Sequence, residues 1–561
     1  MSYHPENPLF VQSDRSILLE VNNPLFVEAR DGLGRFAELE KSPEHIHTYR
    51  LTPLSLWNAA SSGFTAEKIL ETLNRYSKYD IPQNIRMEII DQLSRYGRIK
   101  LIKEDDAYFL VSDDPALITQ IWHNRTVKPF LRRKVSPTRL LIDHLMRGHV
   151  KQALIKIGFP VQDLAGYVEG DFLNVTFRNQ IHKKQTFQLR HYQQQSIDTF
   201  YMSGSAMGGS GVIVLPCGAG KTIVGIGVIV NLKMQALILV TSTVAVRQWI
   251  HELLDKTTIS EGDVGEYTGD NKSIRPITVT TYQMLTYRRR RSSEFVHFKL
   301  FNERNWGIII YDEVHLLPAP VFRITAELQT RRRLGLTATL IREDGREGDV
   351  FSLIGPKKYD VPWKTLEKQG WIATATCTEV RLNLPEEQRM HYALANPRAQ
   401  FRIASENPAK FDILKRLIKK YRGHQILIIG QYIDQITQIS RALKVPLITG
   451  KTANHERMRL YANFRMGKQK MLVISKVGNF AIDLPDANVL IQISGTFGSR
   501  QEEAQRLGRI LRPKSDGSNA HFYTLVTRDT REQDFAANRQ LFLTEQGYPY
   551  EIIDEKDIYE A

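Results

Sequence analysis

The sequence is poor in cysteine and in long apolar runs, and both shortages narrow its possible classes. Its 561 residues contain 2 cysteines, Cys217 and Cys377, which are too few for a disulfide framework or a zinc ribbon. No segment approaches the roughly 18 consecutive apolar residues of a membrane-spanning helix, and the opening stretch MSYHPENPLF lacks a basic and then apolar signal region. We therefore expect a protein of a reducing compartment without a role at a membrane.

The sequence also lacks low-complexity tracts and long blocks of one charge sign, so a disordered chain is excluded. Hydrophobic residues make up 42% and charged residues 24% of the chain, which is typical of soluble folded domains. Its length predicts about three or four domains. The formal net charge of +15 indicates a polyanionic partner such as nucleic acid, although basic charge does not by itself identify one.

A missing glycine raises the question of whether residues 215–222 bind phosphate. The stretch reads LPCGAGKT, and Leu215 stands where the strict phosphate-binding pattern has glycine. The context is the required one, because the apolar run GVIVLP precedes the loop as a buried strand and TIVGIGVIVNL follows it as a buried helix. A Gly-rich turn between two buried elements is the alternative.

Four residues of this loop suit phosphate and magnesium. Gly218 and Gly220 let the backbone N–H groups face a β-phosphate at the helix N-terminus. Lys221 would reach the β- and γ-phosphates, and Thr222 would hold Mg²⁺. We therefore expect ATP and Mg²⁺ as cofactors.

Two carboxylates follow another predicted strand, IIIY, at its carboxyl end. Ligands of open α/β sheets bind at that edge, so Asp312 and Glu313 would lie near the phosphates. Asp312 would hold Mg²⁺, and Glu313 would orient and deprotonate the attacking water. Taken alone, an acidic pair after a buried strand is as often the start of a solvated loop as it is a functional site. The phosphate-binding pattern upstream favours the catalytic interpretation.

The segment QEEAQRLGRILRP predicts an amphipathic helix. Its apolar residues recur at helical spacing and leave Gln505, Arg509 and Arg512 on another face. The two arginines would close on the γ-phosphate from a second lobe, whereas a surface helix with solvated arginines is the alternative.

In this order the motifs resemble those of the XPB family of superfamily 2 DNA helicases, over nearly the whole chain. LPCGAGKT matches the family loop as it stands, including Leu215, and DEVH matches the family's carboxylate box. LRHYQ resembles the adenine-reading motif, which implies that Arg190 and Gln193 contact the base. TSTVAVRQW, YTGD and TTYQML resemble the motifs that track the nucleic-acid strand.

Further roles are implied by the resemblance alone. His315, Thr337 and Thr339 are expected to couple hydrolysis to motion. The charged stretch Arg342, Glu343 and Asp344 resembles an element implicated in strand separation, although alternating charges are also typical of a solvated loop. The second-lobe motifs SKVGNFAIDLP and QRLGRILR carry over five residues: Gly478, Asp483, Gln505, Arg509 and Arg512.

The expected fold class is α/β, with two RecA-like parallel-sheet helicase lobes preceded by a winged-helix-like α+β N-terminal region and a small accessory domain. Three helical patterns, one with Thr65 as its N-cap, precede a predicted hairpin around residues 104–106. The basic stretch RTVKPFLRRKVSPTR is interpreted as a linker, and a helix-then-strand unit after it resembles a damage-recognition domain, with a structural cap as the alternative. The predicted boundaries are 1–124 for the N-terminal domain, 125–188 for the linker and small domain, 189–375 for lobe 1, 376–408 for a short thumb-like segment and 409–561 for lobe 2.

By resemblance the chain is an ATP-dependent 3′-to-5′ DNA helicase of nucleotide excision repair that acts on single-stranded or forked DNA. Two alternatives stay open: a double-stranded DNA translocase that does not unwind, and a binding scaffold with a vestigial nucleotide site. The residues do not distinguish DNA from RNA, so the preference for DNA rests on the resemblance. A nuclease or another repair protein is the expected protein partner, and the expected localisation is cytoplasmic and nucleoid-associated.

Overall fold

The structure is a computed structural model that divides into two compact units. One unit comprises Met1–Leu215 and Gly220–Val361, and the other comprises Pro216–Ala219 and Pro362–Ala561. Within these units the structure describes residues 3–41, 45–105, 107–143, 146–181, 185–204, 208–216, 218–289, 295–328, 331–338, 347–361, 363–475, 487–495, 506–507, 510, 519–545, 548 and 550–560. Among these residues, no helix is both long and apolar enough to cross a membrane.

The first unit begins with an antiparallel sheet of four strands in the order β1-β2-β4-β3. The strands are β1 (Leu9–Val11), β2 (Ser16–Glu20), β3 (Glu38–Lys41) and β4 (Ile46–Arg50), and the helices are α1 (Phe26–Leu33), α2 (Pro53–Ser61), α3 (Ala66–Tyr76) and α4 (Gln83–Arg95). The three predicted helices are confirmed as α2, α3 and α4. Thr65 caps α3 as predicted, since its side chain accepts a hydrogen bond from the N–H of Lys68.

A five-stranded sheet follows in the order β7-β8-β6-β5-β9. Its strands are β5 (Ile99–Glu104), β6 (Ala107–Val111), β7 (Leu131–Ser136), β8 (Arg139–Ile142) and β9 (Val161–Asp163), with helices α5 (Pro115–His123) and α6 (Arg147–Lys156). The predicted hairpin is confirmed as β5 and β6, which pair antiparallel.

The basic stretch interpreted as a linker contains the strand β7, and the predicted boundary between residues 124 and 125 crosses this sheet. Among the described residues, β7 is an edge strand that pairs with β8 alone. Edge strands often carry charged residues and proline, which are also typical of linkers, and this explains the error.

The first lobe is a parallel sheet of seven strands in the order β14-β15-β13-β16-β17-β12-β18. A short hairpin, β10 (Gln180–Ile181) and β11 (Gln185–Thr186), and the helix α7 (His191–Tyr201) precede it. The strands are β12 (Ser210–Val214), β13 (Ala236–Val240), β14 (Val264–Tyr267), β15 (Ile277–Thr281), β16 (Ile308–Asp312), β17 (Arg332–Thr337) and β18 (Lys357–Asp360). The helices are α8 (Lys221–Leu232), α9 (Thr243–Lys256), α10 (Tyr282–Leu285), α11 (Ala319–Glu327) and α12 (Glu347–Leu353). Every residue of β12, β13 and β15 is buried, which explains their apolar, β-branched runs.

The second unit holds another parallel sheet of seven strands, in the order β21-β22-β20-β23-β24-β19-β25. The strands are β19 (Ala375–Leu382), β20 (Ile426–Gly430), β21 (Leu447–Ile448), β22 (Met471–Ser475), β23 (Val489–Gln492), β24 (Ala520–Thr527) and β25 (Tyr550–Asp554). The helices are α13 (Trp363–Lys368), α14 (Glu386–Leu394), α15 (Pro397–Ser405), α16 (Ala409–Lys420), α17 (Ile433–Leu443), α18 (Asn454–Arg465), α19 (Arg531–Glu545) and α20 (Glu555–Glu560). The segment 376–408, predicted to be thumb-like, contributes most of β19 to this sheet and then forms α14 and α15.

A buried ionic cluster joins α6 and β9. Arg147 donates to both carboxylate oxygens of Asp163, at 3.1 and 2.7 Å, and Lys151 Nζ lies 2.8 Å from Asp163 Oδ2. The guanidinium groups of Arg147 and of Arg333 in β17 each lie 5.6 Å from the ring centre of Tyr167. The ion pairs lie within the small domain, and the Tyr167 ring, which both guanidinium groups approach, packs this domain against β17 of the first lobe.

Candidate nucleotide site in the first lobe

The phosphate-binding loop leaves β12 and enters α8 through two glycines in the left-handed region. Gly218 and Gly220 both have φ of 82°, and Gly220 is the N-cap of α8. Leu215, at the position of the absent glycine, is fully buried, and its N–H donates to the carbonyl of Thr337 at 3.0 Å. This hydrogen bond extends the pairing of β12 with β17 by one residue, so the position belongs to the strand and has no need of glycine.

Gln193 lies against this loop. A Cβ placed on Gly220 would be 2.5 Å from Gln193 Nε2, while Gln193 Oε1 accepts the N–H of Arg190 at 3.0 Å. Arg190 also donates from Nη1 to the hydroxyl of Tyr192 at 3.0 Å. The start of α7 therefore places Gln193 beside the loop and Arg190 next to Gln193, and the contact of these two residues with an adenine base stays a prediction.

The side chains of Lys221 and Glu313 lie close together at the carboxyl end of β16. Lys221 Nζ lies 3.5 Å from Glu313 Oε1, which joins the phosphate-binding lysine to the carboxylate predicted to activate water. Glu313 has φ of 50° and ψ of 54°, a backbone conformation that side-chain-bearing residues seldom adopt. Its Oε2 atom is buried and accepts no hydrogen bond from the residues that the structure describes.

Asp312 is held by three separate hydrogen bonds. Trp249 Nε1 donates to Asp312 Oδ2 at 2.8 Å, the N–H of Glu313 donates to Oδ1 at 3.0 Å, and the hydroxyl of Tyr282 donates to the backbone carbonyl at 2.8 Å. Burial and then the neighbouring Glu313 raise the pKa of Asp312 to about 6, against the opposing effects of Trp249 and Lys221. A divalent cation would offset this unfavourable charge.

His315 connects the carboxylate box to β17. Its Nδ1 lies 2.7 Å from the hydroxyl of Thr337, both side chains are buried, and the same ring nitrogen lies 3.5 Å from Glu313 Oε2. The structure thus brings together two residues predicted to couple hydrolysis to motion. Because Thr337 also pairs with Leu215 through its carbonyl, one residue contacts both the loop and the carboxylate box.

The side chains fit a nucleoside triphosphate with a hard divalent cation. The loop has left-handed glycines beside a helix N-terminus, and Lys221 follows them directly. Asp312 and Thr222 supply oxygen atoms of the type that Mg²⁺ binds.

Nine predicted site residues lie outside the described residues: Thr339, Arg342, Glu343, Asp344, Gly478, Asp483, Gln505, Arg509 and Arg512.

Sequence reasoning missed the residues that hold Asp312. Trp249 and Tyr282 belong to motifs assigned to strand tracking, and nothing in their spacing predicts contact with a carboxylate many residues away. One residue, Gly225 in the interior of α8, could have indicated that another group packs closely there, because a glycine inside a helix usually has a packing reason. It would not have identified Trp249 as that group.

Parallel-sheet lobes with such a loop and such carboxylates are characteristic of RecA-like P-loop motor enzymes, the class that contains the superfamily 2 helicases. Three family models match the chain: ERCC3/RAD25/XPB C-terminal helicase over residues 366–561, Helicase conserved C-terminal domain over 9–136, and Type III restriction enzyme, res subunit, over 186–342.

The curated relatives match the chain over almost its whole length. The DNA 3'-5' helicase XPB of Kineococcus radiotolerans is 50% identical over 99% of this chain and 97% of its own. The protein of the same name from Mycobacterium tuberculosis is 51% identical over 99% of both chains. The chain belongs to the XPB family of helicases.

A likeness to a solved structure agrees with the fold. The ATP-dependent Type ISP restriction-modification enzyme LlaBIII bound to DNA is 13% identical, with a TM-score of 0.50 over 67% of this chain and 32% of that chain. At this identity the likeness concerns the fold alone.

Proposed function

We propose that the chain is an ATP-dependent 3′-to-5′ DNA helicase that couples ATP hydrolysis to translocation and strand separation in DNA repair. The observation that carries this proposal is the linked set Lys221, Glu313, His315 and Thr337, in a chain whose half-identical relatives are named DNA 3'-5' helicase XPB. A scaffold with a vestigial nucleotide site would not need these side chains to be held together.

The positions of the described residues support a role for each of them. The backbone around Gly218 and Gly220 would cradle the β-phosphate of ATP, and Lys221 would bind the β- and γ-phosphates. Asp312 and Thr222 would hold Mg²⁺, which neutralises phosphate charge when it is bound. Glu313 would orient the attacking water and take its proton at Oε2, the buried oxygen that accepts no hydrogen bond from the described residues.

The coupling roles form part of the same proposal. A change at the γ-phosphate would alter the contacts of Glu313, and His315 and Thr337 would pass the change on to β17. Thr339, Arg342, Glu343, Asp344, Gly478, Asp483, Gln505, Arg509 and Arg512 keep the roles that the family motifs predict.

A second function is favoured by the names of more distant relatives. The Saccharomyces cerevisiae relative, 34% identical over 98% of this chain and 72% of its own, is named as a helicase/translocase subunit of general transcription and DNA repair factor IIH. The alternative for this chain is therefore a double-stranded DNA translocase without intrinsic unwinding. A nuclease or other repair protein as partner, and association with the nucleoid, belong to the same proposal.

The test is the ATPase rate with no nucleic acid, single-stranded DNA, forked duplex, blunt duplex or RNA of matched length, beside Lys221→Ala. Stimulation by single-stranded or forked DNA, together with an inactive variant, supports the motor, and unwinding assays on 3′- and 5′-tailed duplexes then test polarity. Stimulation by blunt duplex without unwinding favours the translocase. Equal stimulation by RNA would remove the assignment to DNA repair.

A further inference from the structure

A buried indole connects α9 to the carboxylate proposed to hold Mg²⁺. Trp249 is only 1% exposed, and its Nε1 donates to Asp312 Oδ2 at 2.8 Å. Because Asp312 Oδ1 accepts the N–H of Glu313, each carboxylate oxygen has a fixed donor and the plane of the group is set. Outer hydrogen bonds of this kind orient metal ligands and commonly change metal affinity when they are removed.

The indole of Trp249 packs against α8 at a glycine, Gly225. A Cβ on Gly225, in the interior of α8, would lie 2.5 Å from Trp249 Cη2 and 3.2 Å from Leu336 Cδ1. Glycine is unfavourable inside a helix, so its place here is explained by the approach of the indole ring. The helix that starts at the phosphate-binding loop thus leaves room for the side chain that orients Asp312.

We propose that Trp249 is a positioning residue for Mg²⁺: it orients the Asp312 carboxylate, and Gly225 keeps the space that the indole needs. This inference rests on the proposed function, since it assigns Trp249 to the Mg²⁺–ATP site of that enzyme. In this role Trp249 acts through its hydrogen bond to Asp312.

The decisive variant is Trp249→Phe, which retains an aromatic ring and removes the N–H donor. We expect its affinity for a fluorescent ATP analogue in EDTA to equal that of the wild type, because the loop and Lys221 are unchanged. With Mg²⁺ present, the Mg²⁺ concentration for half-maximal binding should rise by about 10- to 100-fold. Equal Mg²⁺ requirements for variant and wild type would overturn the proposal.

Trp306→Phe is the matched control. Trp306 is also fully buried, and its Nε1 donates to the backbone carbonyl of Leu300 at 3.0 Å, away from Asp312. Both variants lose a buried indole N–H, so a general loss of stability would affect both. A raised Mg²⁺ requirement in Trp249→Phe alone separates positioning from packing, and an equal rise in both would contradict the proposal.

Gly225→Ala provides a second, independent variant, because it keeps the N–H but displaces the indole. It should raise the Mg²⁺ requirement by itself and add little to Trp249→Phe, since phenylalanine lacks the ring atom that the new methyl group meets. Fully additive effects would overturn the claim about Gly225. A wild type whose ATPase no nucleic acid stimulates would contradict the proposed function, whereas Mg²⁺-dependent nucleotide binding would still test Trp249.

Discussion

At the scale of single residues, Glu313 combines an unusual backbone with an unsatisfied side-chain atom. Its φ of 50° follows directly after the buried strand β16, and its Oε2 accepts no hydrogen bond from the described part of the chain. Strained backbone and open acceptors are concentrated at functional sites, where the surrounding structure maintains them. The geometry suits a base that takes a proton from water.

We expect Glu313→Gln to lower the ATPase rate by about 10²- to 10⁴-fold, because the amide cannot accept the proton. Nucleotide binding should persist, since Lys221 and the loop are intact. Steady-state ATPase and binding of a fluorescent nucleotide measure the two effects, and Lys221→Ala is the comparison that loses binding. Near-normal hydrolysis by the glutamine variant would exclude Glu313 as the base.

Thr337 offers a test of coupling between hydrolysis and motion. Its hydroxyl lies 2.7 Å from His315 Nδ1 and is removed in Thr337→Val but kept in Thr337→Ser. Coupling energies of about 0.5 to 2 kcal/mol predict that unwinding falls by about two- to thirtyfold in the valine variant while nucleotide binding is kept. ATP consumed per base pair unwound is the measurement, and equal values for the valine and serine variants would contradict the role.

At the scale of structural elements, the ionic cluster of Arg147, Lys151 and Asp163 joins α6 to β9 inside the small domain. Burial alone would raise the pKa of Asp163, but Arg147 and then Lys151 outweigh it and hold that pKa below the ordinary 3.8. Burial lowers the pKa of Lys151 to about 8, against the attraction of Asp163. Asp163 is therefore the counter-charge for both buried cations, Arg147 and Lys151.

Asp163→Asn should lower the free energy of unfolding by about 3 to 5 kcal/mol at neutral pH, because Arg147 and Lys151 stay buried without their counter-charge. A lowered carboxyl pKa stabilises the fold above the unfolded pKa and ceases to do so as the pH falls through the folded one. The difference between wild type and variant should therefore shrink below pH 3.8. Denaturant unfolding at several pH values measures it.

Asp91→Asn is the control for this variant, since Asp91 pairs with Arg95 on the surface of α4. Such exposed pairs contribute about 0 to 1 kcal/mol. A similarly small effect of Asp163→Asn would show that the buried cluster does not stabilise the fold.

Elements with a strong local pattern could be predicted, and contacts between distant segments could not. The strand-loop-helix unit around Lys221 and the strand before Asp312 follow from apolar runs and glycine positions. By contrast, the hydrogen bond from Trp249 to Asp312 joins segments 63 residues apart, and a single sequence carries no record of that pairing. The strand β7 could not be recognised from the sequence, because its arginines and the prolines on either side of it are also typical of a linker.

At the scale of the whole molecule, the net charge of +15 should govern the affinity for DNA. Each phosphate neutralised by a basic side chain releases counterions, so the Kd for DNA should rise steeply with salt. If 6 to 10 phosphates are contacted, affinity falls by about 10³- to 10⁵-fold between about 50 and 200 mM salt. Titrations of labelled single-stranded DNA measure the slope, and a slope near zero would exclude an electrostatic role for the basic surface.

The strand orders of the two parallel sheets also bear on how the chain folds during synthesis. In β12, Ser210 pairs with Arg333, and in β19, Ala375 pairs with Ala520. Each of these strands is therefore synthesised well before the strands with which it pairs. At about 5 to 20 residues per second, a ribosome needs about ten seconds to supply those partners. During that interval β12, with its apolar and β-branched residues, has neither of its neighbours, and unpaired strands of this kind are prone to aggregate. Because β12 lies between two strands that are synthesised later, β17 and β18, we expect the nascent chain to depend on chaperones.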